Sequence, residues 1–156
     1  MKLERWALIA EIIGGIAIVV SVLLLLVEVR GNTEAIRSAS AQSITDAATD
    51  VLLLLASDGE LSSLRITGDT DVSTLSEDDW WRYFFYYRQH WLRFQNMYFQ
   101  ASSGVLETGT WDTYAKVICF DITDPNRPGV RTSWPDHASI LDPEFVDMVE
   151  SCPGFE

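Results

Sequence analysis

At 156 residues the chain has room for one modest domain beyond any membrane anchor. Residues 1–30 are formally neutral, with Lys2, Arg5 and Arg30 against Glu4, Glu11 and Glu28, so the whole net charge of −12 falls on residues 31–156. A surface of that sign repels nucleic acid and anionic headgroups, which excludes a nucleic-acid partner and otherwise keeps the domain soluble.

The first element is the apolar stretch Trp6–Val29. Between Ile12 and Val27 it carries no charge and a single hydroxyl, Ser21. As a helix it spans roughly 36 Å, against the ~30 Å of a hydrocarbon core. We expect one transmembrane helix, with residues 1–30 as the anchor and 31–156 as an acidic helical domain. A cleaved signal is the rival reading. Ala39-Ser40-Ala41 has the small-x-small form, but it lies well beyond the apolar run, behind Glu28, Arg30, Glu34 and Arg37. Flanking positive charge is balanced, so the side of the membrane facing the domain stays open.

One face of this helix is a heptad seam: Ala7, Ala10, Gly14, Ala17, Ser21, Leu24 and Glu28. Its first five members are small, which lets helix backbones approach closely in lipid. Glu11 lies little more than a turn inside Trp6. It reaches the headgroup region or faces a partner helix. Ala7, Ala10, Glu11, Gly14, Ala17 and Ser21 are therefore the expected membrane-helix contact, made to a second copy or to another membrane protein.

Gly31-Asn32-Thr33-Glu34 either breaks the helix, with Asn32 as cap, or is passed through. The segment 33–57 has Ile36, Ser40, Ile44, Ala48, Val51 and Leu55 on one stripe, and the run Val51–Leu55 should be its most buried part. Asp58-Gly59 ends it. A short helical turn over 60–66 precedes the polar stretch Thr67–Asp71, expected to be a loop. Asp69-x-Asp71-x-Ser73 starts like a calcium loop, but Thr74 and Trp80 stand where glycine and glutamate are needed, so the motif fails.

Ser76-Glu77-Asp78-Asp79 opens the most distinctive helix. Eleven of the twenty residues from Trp80 to Phe99 are aromatic. One stripe is Trp80, Tyr83, Phe84, Tyr87, Trp91, Phe94 and Tyr98, and a second beside it is Trp81, Phe85, Leu92 and Phe99. So wide an arc predicts a central helix buried on more than one side. Core is the simplest reading. The functional alternatives are an apolar ligand pocket lined by Trp80, Phe84, Tyr87, Trp91 and Phe94, and a helix that lies on the membrane surface. Arg82, Arg88 and Arg93 on the same helix point to stacking on rings.

A helix over 108–120, capped by Thr110, should turn Trp111, Tyr114, Ala115 and Ile118 inward. Asp124–Gly129 is a turn, 130–137 a short helix, and Asp142-Pro143 opens a last one. Cys119 and Cys152 fit no metal or redox motif. They form one disulfide in an oxidising compartment or two buried thiols in a reducing one.

His90 and His137 belong to no metal or nucleophile motif, Cys119 has no assigned base, and no phosphate-binding loop occurs. No catalysis, metal or cofactor is expected. The run Trp6–Ser21, then Val29-Arg30-x-Asn32-Thr33-Glu34-Ala35-x-Arg37-x-Ala39, and Phe94-x-Asn96-x-Tyr98-Phe99, resemble a large group of uncharacterised bacterial single-pass membrane proteins with a helical C-terminal domain. The resemblance is strongest over the anchor and its exit and weakest over the C-terminal third. It implies that Glu11, Arg30 and Asn32 belong to a shared pattern, and a bacterial inner membrane as location; it carries over no activity. The expectation is an all-α chain, one transmembrane helix followed by a small helical bundle. It would act as an accessory or assembly subunit, or as a homo-oligomer. The alternatives are a tethered ligand-binding or sensor domain, and a homo-oligomeric pore.

Overall fold

The computed structural model describes residues 2–155, with side chains at 5, 6 and 11–155. The chain is all-α, a long apolar N-terminal helix followed by a small helical bundle. The elements are α1 (Lys2–Ser57), α2 (Gly59–Thr70), a 3-10 turn (Val72–Thr74), α3 (Glu77–Ser102), α4 (Thr108–Thr123), α5 (Pro128–Ala138) and α6 (Pro143–Glu150). The chain divides into two compact units, 1–40 and 41–156.

In the first unit α1 continues through Gly31-Asn32 without a break. The large apolar side chains from Ile12 to Val29 are exposed. This is the one described helix long and apolar enough to cross a membrane. Ser21 turns its hydroxyl onto the Ala17 carbonyl at 2.8 Å, so it presents no free polar group along the span.

In the second unit α3 is the central element, as its aromatic stripe predicts. Ser76 caps it, its Oγ accepting from the Asp79 amide at 3.2 Å. Tyr83, Tyr87, Trp91, Phe94 and Met97 face inward at helical spacing, onto Ile118 and Ile122 of α4, Val130 and Trp134 of α5, and Phe145 and Val149 of α6. Each such side chain contributes about 1.5–3 kcal/mol by leaving water. Gly104 adopts φ +73° and turns the chain from α3 into α4. Asp142 caps α6, and its own amide donates to Gln95 of α3 at 2.7 Å. The Cys119–Cys152 disulfide ties α4 to the segment after α6.

Several expectations need correction. The second aromatic stripe, Trp81, Phe85, Leu92 and Phe99, is exposed, because α2, α4 and α5 pack only on the first. Leu52, Leu53 and Leu54 are not the buried part of α1: they stand 67%, 61% and 47% exposed, and Ile44 is the buried residue. A five-residue apolar run goes round more than a full helical turn, so it cannot face one neighbour. The stripe Ile44, Ala48, Val51, Leu55 does face inward. Thr67–Thr70 is the last turn of α2 instead of a loop, and α4 starts at Thr108 as expected but with Glu107, not Thr110, at its N-cap position. Asp58 does not merely end α1; it caps α2 by accepting from the Leu61 amide at 2.9 Å.

Where α2 crosses α5, two glycines remove all side-chain bulk. A methyl at Gly129 would overlap the Gly68 carbonyl, and one at Gly68 would overlap the Tyr83 ring. We expect Gly129→Ala to cost about 1–3 kcal/mol in urea melts. Gly109→Ala, at a helical glycine with open space around it, should be neutral or stabilising by up to about 1 kcal/mol.

His137 of α5 is fully buried, stacked on Phe84 at 4.6 Å, and neither ring nitrogen has a hydrogen-bond partner. Burial, helped by the nearby Arg88 charge, pushes it down to about 4. Between that value and its ordinary 6.5 only the unfolded chain binds the proton. Stability is therefore full above pH 6.5 and falls as pH drops toward 4. Denaturant melts across that window should show the slope, and His137→Phe should flatten it; what slope is left comes from His90, also lowered by burial, and toward pH 4 from Asp121 and Asp71, whose carboxyls are held low.

Candidate functional site

The residues that gather most polar chemistry are spread over α2, α3, α4 and the turn before α5. Arg127, at the N-cap of α5, is their centre. Its Nε donates to Asp69 Oδ2 at 3.0 Å, one terminal nitrogen to Asp121 Oδ1 at 2.6 Å and the other to the Tyr87 hydroxyl at 2.6 Å. Tyr87 and Tyr83 donate in turn to Asp69 Oδ1, at 2.6 and 3.2 Å. His90 Nε2 donates to Asp121 Oδ2 at 2.9 Å, which leaves Nδ1 as acceptor toward Arg93 at 3.4 Å.

Local sequence explains each position. Tyr83, Tyr87 and His90 follow one another at helical spacing on the inward side of α3. Asp69 is carried inward by the last turn of α2. Asp124 folds the turn that delivers Arg127, accepting from the Asn126 amide at 2.9 Å. The glycine crossing brings α2 and α5 close enough for Asp69 and Arg127 to meet.

The electrostatics are mutual. Burial works against charge on Arg127, but Tyr87, Asp69 and Asp121 outweigh it and raise its proton affinity. Burial also opposes charge on Asp121, yet His90 and Arg127 hold its carboxyl below the usual range. Tyr83 and Tyr87 are pushed up by burial and then by Asp69, so both stay neutral donors. Burial lowers His90 against the pull of Asp121, which favours the neutral ring.

Beside this network lies a cavity of about 220 Å³. One wall is the α1 stripe Ala48, Val51, Leu52 and Leu55. The other is polar: Arg65, Tyr86, Tyr87, His90, Arg93, Asp121 and Arg127. Leu52 and Arg65 at the rim carry the cavity to the surface, since both keep substantial exposure. Three of the seven arginines in residues 31–156 meet here. Asp69 and Asp121 account for two charges, through Arg127 and a longer 3.9 Å approach to Arg65. Arg93 has no carboxylate partner among the described residues. Its Nε is buried and unbonded, and its guanidinium carbon lies 5.3 Å from the Phe94 ring centre.

The five residues of the expected apolar pocket are not brought to one cavity. Trp91 and Phe94 are core, Trp80 and Phe84 border a separate shallow cleft with Trp81, Asp136 and Ile140, and Tyr87 lines the polar cavity. In the first unit, Glu11, Gly14, Ala17 and Ser21 are exposed, while the side chains of Ala7 and Ala10 lie outside the described residues. Sequence reasoning missed Asp69, Asp121 and Arg127. The signal was present: two tyrosines four residues apart on a buried stripe need an acceptor for their hydroxyls. No group of three His, Cys, Asp or Glu side chains among the described residues is placed to hold a metal.

Replacing Arg127 with Met should cost about 3–5 kcal/mol, because Asp69 and Asp121 would be left buried without their cation. Arg127→Lys should recover only part of it, since one ammonium cannot serve three divergent acceptors. Chemical denaturation of both variants measures this.

No protein-family model matches this chain, and neither a curated protein nor a solved structure does.

Proposed function

We propose that the protein is a non-catalytic, single-pass protein of a bacterial inner membrane whose helical domain binds a small molecule. The observation that carries this reading is the cavity beside Arg127. It has one apolar wall, one polar wall and an arginine left over after the internal ion pairs are counted. Binding cavities combine apolar surface with a few convergent polar groups in this way. The fully exposed apolar stretch Ile12–Val29 supports the tether, and the resemblance of the anchor to bacterial single-pass proteins supports the membrane.

The disulfide supports an orientation. Cys119 and Cys152 lie with Cα atoms 5.3 Å apart, and such bonds persist on the oxidising side of a membrane. The domain then faces away from the cytoplasm. A membrane-impermeant maleimide added from outside should label neither cysteine until a reductant is supplied, and both afterwards. Labelling only after the membrane is opened would reverse the orientation. Removing the bond should cost about 3–4 kcal/mol, from the loop it closes.

Native mass spectrometry of the chain purified from its own membrane tests the binding reading. We expect a retained small-molecule adduct that Leu52→Trp, which fills the cavity, removes. A chain that carries no adduct, and whose melting no small molecule shifts, would sink the proposal.

A second reading rests on the seam of small residues. Gly14, Ala17 and Ser21 are exposed on α1, with Ser21 bonded back to its own helix. They offer a close-packing face to a second copy or another membrane helix. Blue-native sizing should show a species larger than a monomer, which Gly14→Leu reduces to the monomer.

A further inference from the structure

The cavity carries more information than its existence. We infer that its ligand is a small organic anion with an apolar tail, a monocarboxylate in chemical class. The inference rests on the binding reading above and specifies the occupant.

Three observations define that chemistry. The first is charge. Arg65, Arg93 and Arg127 line a single cavity in a protein of net charge −12. Two carboxylates, Asp69 and Asp121, answer two of them. His90 adds no negative charge, and its Nδ1 faces the Arg93 guanidinium. One positive charge is therefore left at the cavity wall, where the surrounding acidic surface would have been expected to leave a negative one. A ligand bearing one negative charge completes the balance, and a cation would meet repulsion.

The second observation is donor geometry. Every nitrogen of Arg127 is committed to Asp69, Asp121 or Tyr87. Arg93 is not: among the described residues its Nε is buried without a partner, and the one hydrogen-bond contact of its guanidinium is to the ring of His90 at 3.4 Å. A buried donor left unmade is costly, and a guanidinium edge is shaped to receive a planar carboxylate. Arg93 is thus the head-group contact.

The third is the opposite wall. Ala48, Val51, Leu52 and Leu55 present only hydrocarbon. They do not touch the head group's chemistry and offer a surface for a chain or ring. The volume, about 220 Å³, matches roughly seven waters at ~30 Å³ each. That admits a carboxylate with a tail on the order of six carbons.

The test uses the full chain in nanodiscs of phosphatidylcholine alone, so that no anionic lipid competes. Sodium hexanoate, hexanol, hexylamine and inorganic phosphate are titrated by calorimetry. We expect hexanoate to saturate at one per chain, and the other three to bind at least tenfold more weakly. Arg93→Gln should weaken hexanoate at least tenfold, and Arg93→Lys should restore part of the loss. Leu52→Asp, at an exposed position that the fold does not need, should weaken hexanoate as well. Thermal melts accompany each variant. If hexanol or hexylamine binds as well as hexanoate and Arg93→Gln changes nothing, the anion assignment falls while the binding reading stands. Phosphate equal to hexanoate would remove the apolar tail from the assignment. If none of the four binds a chain with an intact melt, the assignment falls and the binding reading loses its support.

Discussion

A guanidinium withdrawn from water has to be met on every edge, and Arg127 is met by Asp69, Asp121 and Tyr87. Those partners come from α2, α4 and α3, and Arg127 itself from the start of α5. One side chain therefore fixes the mutual placement of four helices. Apolar packing alone would tolerate sliding, because Trp, Phe and Ile contacts are not directional. Three short charge-assisted bonds with fixed directions do not tolerate it. The glycines serve the same end: a side chain at Gly129 would push α5 off the Gly68 and Asp69 carbonyls of α2, and one at Gly68 would push α2 off the Tyr83 ring of α3.

The cavity follows from the same constraint. Arg127 and Asp121 pull the polar groups of α3 and α4 together below it, while the end of α1 contributes only a stripe of hydrocarbon on the other side. Polar groups satisfied among themselves do not need α1 to approach further, and the apolar stripe has no partner for Arg93. Space remains where two surfaces of different chemistry face each other. The order in the network and the space beside it thus have one origin.

Much of the fold was legible in the sequence. The apolar stretch, the Ser76 start of α3, its central stripe and the Asp142-Pro143 opening of α6 each rest on a local rule, and each is found. The failures share a physical cause. Helical periodicity reports which residues could face a neighbour, and says nothing about whether a neighbour is there. Hence Trp81, Phe85 and Leu92 were assigned to a buried face that no helix covers. Asp69 was misread for a related reason. In a polar stretch, Thr67–Asp71, it looks like a loop residue, and its burial depends on an arginine 58 positions later. The candidate site was almost invisible, because its members are scattered from Ala48 to Arg127 and meet only through tertiary packing.

That separation of 58 positions has a temporal meaning as well. During synthesis Asp69, Tyr83 and Tyr87 emerge long before Arg127, and Cys152 emerges among the last of the groups that close the domain. Until then α2 carries an acid without its cation, and the inward stripe of α3 is covered by α4 but not by α5 or α6. The domain cannot therefore mature element by element from its N-terminal end. It waits, and closes as a unit once the final helices have been delivered. A chain truncated ahead of Arg127 would be an open, aromatic-rich fragment instead of a smaller version of the same domain.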